Sequence, residues 1–157
     1  MSGIQSSAPV PAQQIPPVAE RGADSFVETQ LQLHKLQEQL QMVLFNFCRV
    51  LRPSIIEEHH WPCYAAAELP HIATAVLDFC EGDEDPIEHR GVSPKKRKKF
   101  IRDLRMCRLI RNAVAHCLPI TEDQMMRFAT SGRRIIAMVK RVLGPQYETE
   151  MAAIVGI

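Results

Sequence analysis

The chain has 157 residues, 46% of them hydrophobic and 24% charged, with a formal net charge of +1. Its length suits one domain with a buried core plus a tail. So small a net charge excludes a uniform field drawing the whole molecule onto a polyanion, and no apolar run approaches the roughly 18 residues of a membrane-spanning helix.

Charge is segregated instead. Glu81, Asp83, Glu84, Asp85 and Glu88 crowd one short stretch. Lys95, Lys96, Arg97, Lys98, Lys99, Arg102, Arg105, Arg108 and Arg111 follow, with a single acid, Asp103, among them. Such asymmetry hints at a polyanion-facing surface, and a solvated helix beside an acidic loop is the plainer reading. The five cysteines are Cys48, Cys63, Cys80, Cys107 and Cys117, with no Cys-x-x-Cys pair and no secretory leader before them. An odd count without pairing reads as small buried hydrophobes in a reducing compartment, so the expected location is intracellular and cytoplasmic.

Residues 1–23 carry Pro9, Pro11, Pro16 and Pro17 among Ala, Val and Gln and show no apolar period. This predicts a disordered tail, with the domain in 24–157. A capping box of Ser25 with Glu28 predicts a helix start near Asp24 or Ser25. Phe26, Leu33, Leu36, Leu40, Val43, Leu44 and Phe47 give that helix its apolar face, and Pro53 closes it. Ser54 to His60 predicts a short helix capped by Ser54, interrupted by Trp61 and Pro62. Pro70 opens another, with Ile72, Ala73, Val76, Leu77, Phe79 and Cys80 inward and Gly82 at its end. Ser93-Pro94 is an N-cap and first-turn pair for a basic helix running to about Cys117, which Pro119 stops. Thr121 with Gln124 is a second capping box. The helix it opens carries Met125, Phe128, Ile135, Ile136, Met138, Val139 and Val142, has a weak point at Gly132, and stops at Gly144-Pro145. Residues 146–157 add a short helix or a tail. Strand signals are nearly missing, so the fold class is all-α, an antiparallel helical bundle of four to five helices.

The sharpest chemical signal lies late in the basic helix: Arg111-Asn112-Ala113-Val114-Ala115-His116. Imidazole exchanges a proton near neutral pH, and guanidinium holds a phosphate and its developing charge. Arg111 also falls within the apolar stripe Phe100, Leu104, Cys107, Val114 and Leu118, where a charge must be paired, ligand-facing or at an interface. Asn112 and His116, four apart, share a helix face with Arg105 and Arg108, and Asn112 is placed to orient the imidazole. Arg111 and His116, five apart, lie about 140° apart around the helix. Their convergence needs the reach of the Arg side chain, a helix bulge, or a second copy across a two-fold axis. With convergence, His116 acts as general acid or base for 2′-hydroxyl attack on the adjacent phosphate of RNA, and Arg111 stabilises the charge that develops. No metal and no cofactor are called for.

On these residues the chain resembles the HEPN superfamily, small all-α bundles with an Arg-x-x-x-x-His motif and a polar residue after the Arg. Residues 25–144 fit the architecture, and the sharp part of the resemblance is the six-residue motif. A run from Leu51 to Glu58, followed by Trp61, is similar to a pattern in one subgroup. The resemblance implies a homodimeric, metal-independent endoribonuclease with catalysis at the dimer cleft. Many members are toxins, defence or RNA-processing nucleases, some of them subject to a regulatory protein partner. Others are catalytically silent interaction or dimerisation modules. It makes Arg111 and His116 the catalytic candidates and Asn112 their support.

Plainer readings stand beside each candidate. His116 alone is a helix-terminal imidazole interacting with the last carbonyls, and Arg111 is half of an ion pair, with Glu68 for example. Lys98, Arg102, Arg105 and Arg108 are candidate RNA-backbone contacts or solvated side chains. His59, His60 and Cys63 lack a fourth ligand at useful spacing for a metal. The run Pro94 to Lys99 looks like a nuclear import signal, which a eukaryotic source would require. It also sets positive charge at a helix N-terminus, against the dipole, and pairing with the acidic stretch Asp83 to Glu88 would compensate. A basic-helix nucleic-acid binder without chemistry is the third functional reading.

Overall fold

The first helix, α1, spans Val18–Leu51 and runs straight through the expected start at Asp24 and Ser25. The structure, a computed structural model, describes residues 18–88 and 90–155, and side chains from 22 to 154. Residues 1–17 of the expected tail lie outside the described residues, but 18–23 are helical rather than tail. Val18-Ala19-Glu20-Arg21 are adequate helix formers directly after Pro17, and Gly22 costs only about 1 kcal/mol relative to Ala. Ser25 therefore sits inside the helix, where its carbonyl accepts from the Thr29 hydroxyl at 2.8 Å.

The other helices follow the punctuation in the sequence. They are α2 (Ser54–Glu58), α3 (Leu69–Glu81), α4 (Pro94–Ala115), α5 (Glu122–Leu143) and α6 (Gln146–Val155), with a 3-10 turn at Tyr64–Ala66. The described residues contain no strand. Ser93 caps α4 by accepting from the Lys96 amide, and Thr121 with Gln124 forms a reciprocal capping box on α5. The short α2 departs from expectation, because Pro53 rather than Ser54 occupies its N-cap and no side chain bonds there. The sixth helix exceeds the expected four to five.

The core lies where α1, α3, α4 and α5 meet. Leu33, Leu40, Val43, Leu44 and Phe47 of α1 face Ile72 and Val76 of α3, Phe100 and Ile110 of α4, and Ile135 and Val139 of α5, all buried. Each such side chain stabilises the fold by about 1.5–3 kcal/mol through burial. Phe26, expected on the apolar face of α1, is instead 40% exposed, because residues 22–28 of that helix have no neighbour covering them among the described residues. Gly132, a weak point on propensity alone, has a packing reason. A Cβ there would lie 2.6 Å from Leu36 Cδ1, so its absence lets α5 approach α1.

Candidate functional site

The Arg-x-x-x-x-His element ends at a structured helix cap. His116 is the C-cap of α4, and its amide donates to the Asn112 carbonyl. The Cys117 amide donates to the Val114 carbonyl and the Leu118 amide to the Ala113 carbonyl, the paired bonds of a Schellman motif. Cys117 takes the left-handed position with φ of 47°. Glycine usually fills that position, and a residue bearing a Cβ costs about 1–2 kcal/mol there. Gln30 of α1 donates to the Leu118 carbonyl at 2.8 Å and so ties the cap to the bundle.

These bonds hold the His116 backbone while its side chain remains exposed. Asn112 is also exposed, and neither side chain makes a hydrogen bond among the described residues. The expected Asn112-to-imidazole bond is therefore not formed in this chain. Arg111 points elsewhere. Its guanidinium lies 3.9 Å from a carboxylate oxygen of Glu68, just before α3, with the side chains 30% and 57% exposed. A loose pair of this kind contributes about 0–1 kcal/mol. α4 runs as unbroken α-helix through Ala115, so no bulge turns Arg111 toward His116. The expected apolar stripe holds at Phe100, Leu104, Cys107 and Val114, but Leu118 lies past the helix and is 43% exposed.

The other basic residues divide by partner. Arg97 donates from Nε to Asp85 at 2.6 Å and from Nη2 to the Cys80 carbonyl, joining the start of α4 to the end of α3. The Asp85 hydrogen bond raises the Arg97 pKa further. This pairing between the acidic stretch and the basic helix offsets the unfavourable charge at the α4 N-terminus. Arg105 pairs loosely with Glu81 at 3.4 Å. Lys98, Arg102 and Arg108 are exposed and form no ion pair among the described residues. Lys98, Arg102 and Arg105 line one open groove of about 660 Å³ with Lys95 and Lys99. Arg108 lies instead beside Pro70 and Thr74 of α3.

The most deeply buried charge on α4 is one the sequence reading passed over. Asp103 is 1% exposed. It accepts from Arg134 Nε at 2.7 Å, from Arg134 Nη2 at 2.6 Å and from the Ser131 hydroxyl at 3.0 Å. This two-pronged pair pins α4 to α5, and it pushes the Arg134 pKa up, chiefly through the hydrogen bond. A usable signal was present. Asp103 lies three after Phe100 and four before Cys107, so it borders the apolar stripe, whereas Arg111 falls nearer the centre of that stripe.

Near α2, His59 stacks on Trp61 with ring centroids 4.4 Å apart and planes within 9°. Among the described residues, no three His, Cys, Asp or Glu side chains group as metal ligands. Cys48, Cys80 and Cys107 are buried, and burial pushes each thiol up to about 12. Cys63 and Cys117 are exposed. No helix among the described residues is long and apolar enough to cross a membrane. No family model, curated protein or solved structure matches this chain.

Proposed function

We propose that the protein is a HEPN-like, metal-independent endoribonuclease that works as a homodimer, with Arg111 and His116 in its cleft. The observation that carries this reading is the exposed imidazole of His116, held on a fixed cap at the end of a basic helix. His116 takes the proton from a ribose 2′-hydroxyl, whose oxygen attacks the adjacent phosphorus. The bond from phosphorus to the 5′-oxygen breaks, leaving a cyclic phosphate and a 5′-hydroxyl. The proton for the departing oxygen comes from the imidazolium of the second copy. Arg111 stabilises the phosphorane charge, and its loose pair with Glu68 yields readily to a phosphate. Asn112 supports the imidazole once RNA and the second copy enclose it.

The second copy fits the apolar residues left uncovered around this cap. Val27 and Leu31 lie on one face of α1 and are 55% and 56% exposed, Leu118 is 43% exposed, and Gln30 connects the two regions. Leu109, 53% exposed, lies on the motif helix itself. The same surface also suits the second reading, a catalytically silent dimerisation, RNA-binding or interaction module.

The deciding experiment is RNA cleavage in EDTA by wild type, Arg111→Ala and His116→Ala, with mass measured by light scattering. The expected result is a dimer in which either substitution removes cleavage and leaves the helical signal intact. Undiminished cleavage by both variants would overturn the nuclease reading. A folded dimer that never cleaves but binds RNA or a protein partner would favour the silent module.

A further inference from the structure

A separate cavity of about 310 Å³ opens between the first half of α4 and the second half of α5. Its inner wall is apolar, with Phe100 2% and Met138 8% exposed, and Ala137 at the surface end. Around this wall stand four cations, Lys96, Lys99, Arg134 and Arg141. The one acid lining it is Asp103, which Arg134 and Ser131 already engage. Lys96, Lys99 and Arg141 form no ion pair among the described residues, and the one recorded bond of Arg141 is to the Gly91 carbonyl. Like charges gathered at one cavity repel, and an anion among them removes that repulsion.

We infer that this cavity binds a small organic phosphate, with an apolar or aromatic body against Phe100, Ala137 and Met138 and its phosphate charge among the four cations. Two features favour this class. The volume falls at the small end of ligand pockets, and a mostly apolar lining with a few convergent polar groups is their usual composition. Arg134 is also preorganised. Asp103, itself buried, fixes the guanidinium through Nε and Nη2, so little side-chain freedom remains to be lost on binding. A polynucleotide would need only the charges and would leave the apolar wall unused. The inference is independent of the chemistry proposed for Arg111 and His116, which lie at the other end of α4.

The test is calorimetric titration of the full chain with ADP, inorganic pyrophosphate, adenosine and a short single-stranded RNA, at constant ionic strength. ADP is expected to bind once per chain, more tightly than pyrophosphate or adenosine alone. Lys99→Glu and Arg141→Glu should each weaken it about tenfold or more, the loss of one charge-assisted contact. Ala137→Trp, which fills the cavity from a surface position, should abolish binding with unchanged circular dichroism. Lys95→Glu, outside the cavity, should leave the affinity within about twofold. Arg134 is not substituted, because its removal would leave Asp103 buried without a charge partner. No saturable ADP binding, an equal loss in Lys95→Glu, or pyrophosphate binding as tightly as ADP would overturn the inference. So would displacement of ADP by RNA with affinity that grows with RNA length.

Discussion

The ends of α2 and α4 are built alike and used differently. Each closes with a histidine at the C-cap, His59 and His116, followed by a left-handed residue, His60 with φ of 54° and Cys117 with φ of 47°. Each has the paired Schellman bonds, which run at α2 from His60 to Glu57 and from Trp61 to Ile56. At α2 the next residue is Trp61, and the imidazole lies flat against it. At α4 the next residue after the left-handed position is Leu118, and the imidazole has no partner among the described residues. Both imidazoles are exposed, and the same backbone thus sets one against an aromatic ring and leaves the other without one. Backbone geometry alone does not distinguish the two imidazoles, and the residue beyond the cap does.

The largest expected effect separates the two histidines by activity. His116→Ala should lower RNA cleavage about 10²–10⁴-fold, the usual contribution of a general acid or base. His59→Ala should leave cleavage unchanged and cost about 0.5–1.5 kcal/mol of stability through the lost stacking. Cleavage rates that respond equally would break the distinction. Next in size, the stability of α4 should depend on its buried carboxylate and not on its motif. Asp103→Ala should cost about 3 kcal/mol, the lower range for breaking a buried pair, because Arg134 reaches solvent. Arg111→Ala should cost no more than about 1 kcal/mol. Urea denaturation measures both, and a larger loss at Arg111 would overturn the assignment of Asp103 as the structural charge.

A smaller effect probes what the caps share. Glycine at either left-handed position should raise stability by about 0.5–1 kcal/mol. That is the relief of the steric cost less the extra freedom of unfolded glycine. His60→Gly and Cys117→Gly should therefore shift the thermal midpoint alike, and a gain at only one end would show that the backbones differ in solution. The smallest effect concerns the thiols. At pH 8, Cys63 and Cys117 should react with a disulfide reagent in the native protein, whereas Cys48, Cys80 and Cys107 should react only after unfolding. The buried thiols stay neutral in the fold, with pKa about 12 against 9.0 when exposed. Their contribution to stability is complete below pH 9 and is lost as pH rises from there toward 12. A thermal midpoint that rises over that range would contradict this burial.

The sequence by itself determined most of the helical boundaries. Ser93-Pro94, Thr121 with Gln124, Gly82 and Gly144 are signals whose physics is local, since caps and stops depend on residues within one turn. It also placed His116 at the end of a basic helix and named Glu68 as a partner for Arg111. Periodicity identified the inward face of α4 but could not say how a charge on that face is satisfied. The answer came from Ser131 and Arg134, 28 and 31 residues farther along the chain. The helical residues before Ser25 escaped because a good local cap there competes with continued helix, and Gly22 is too weak a breaker to end it. Gly132 read as a weakness until α1 was found against it. Tertiary structure decided which charges are buried and where cations surround a cavity, because each depends on distant residues brought within contact range.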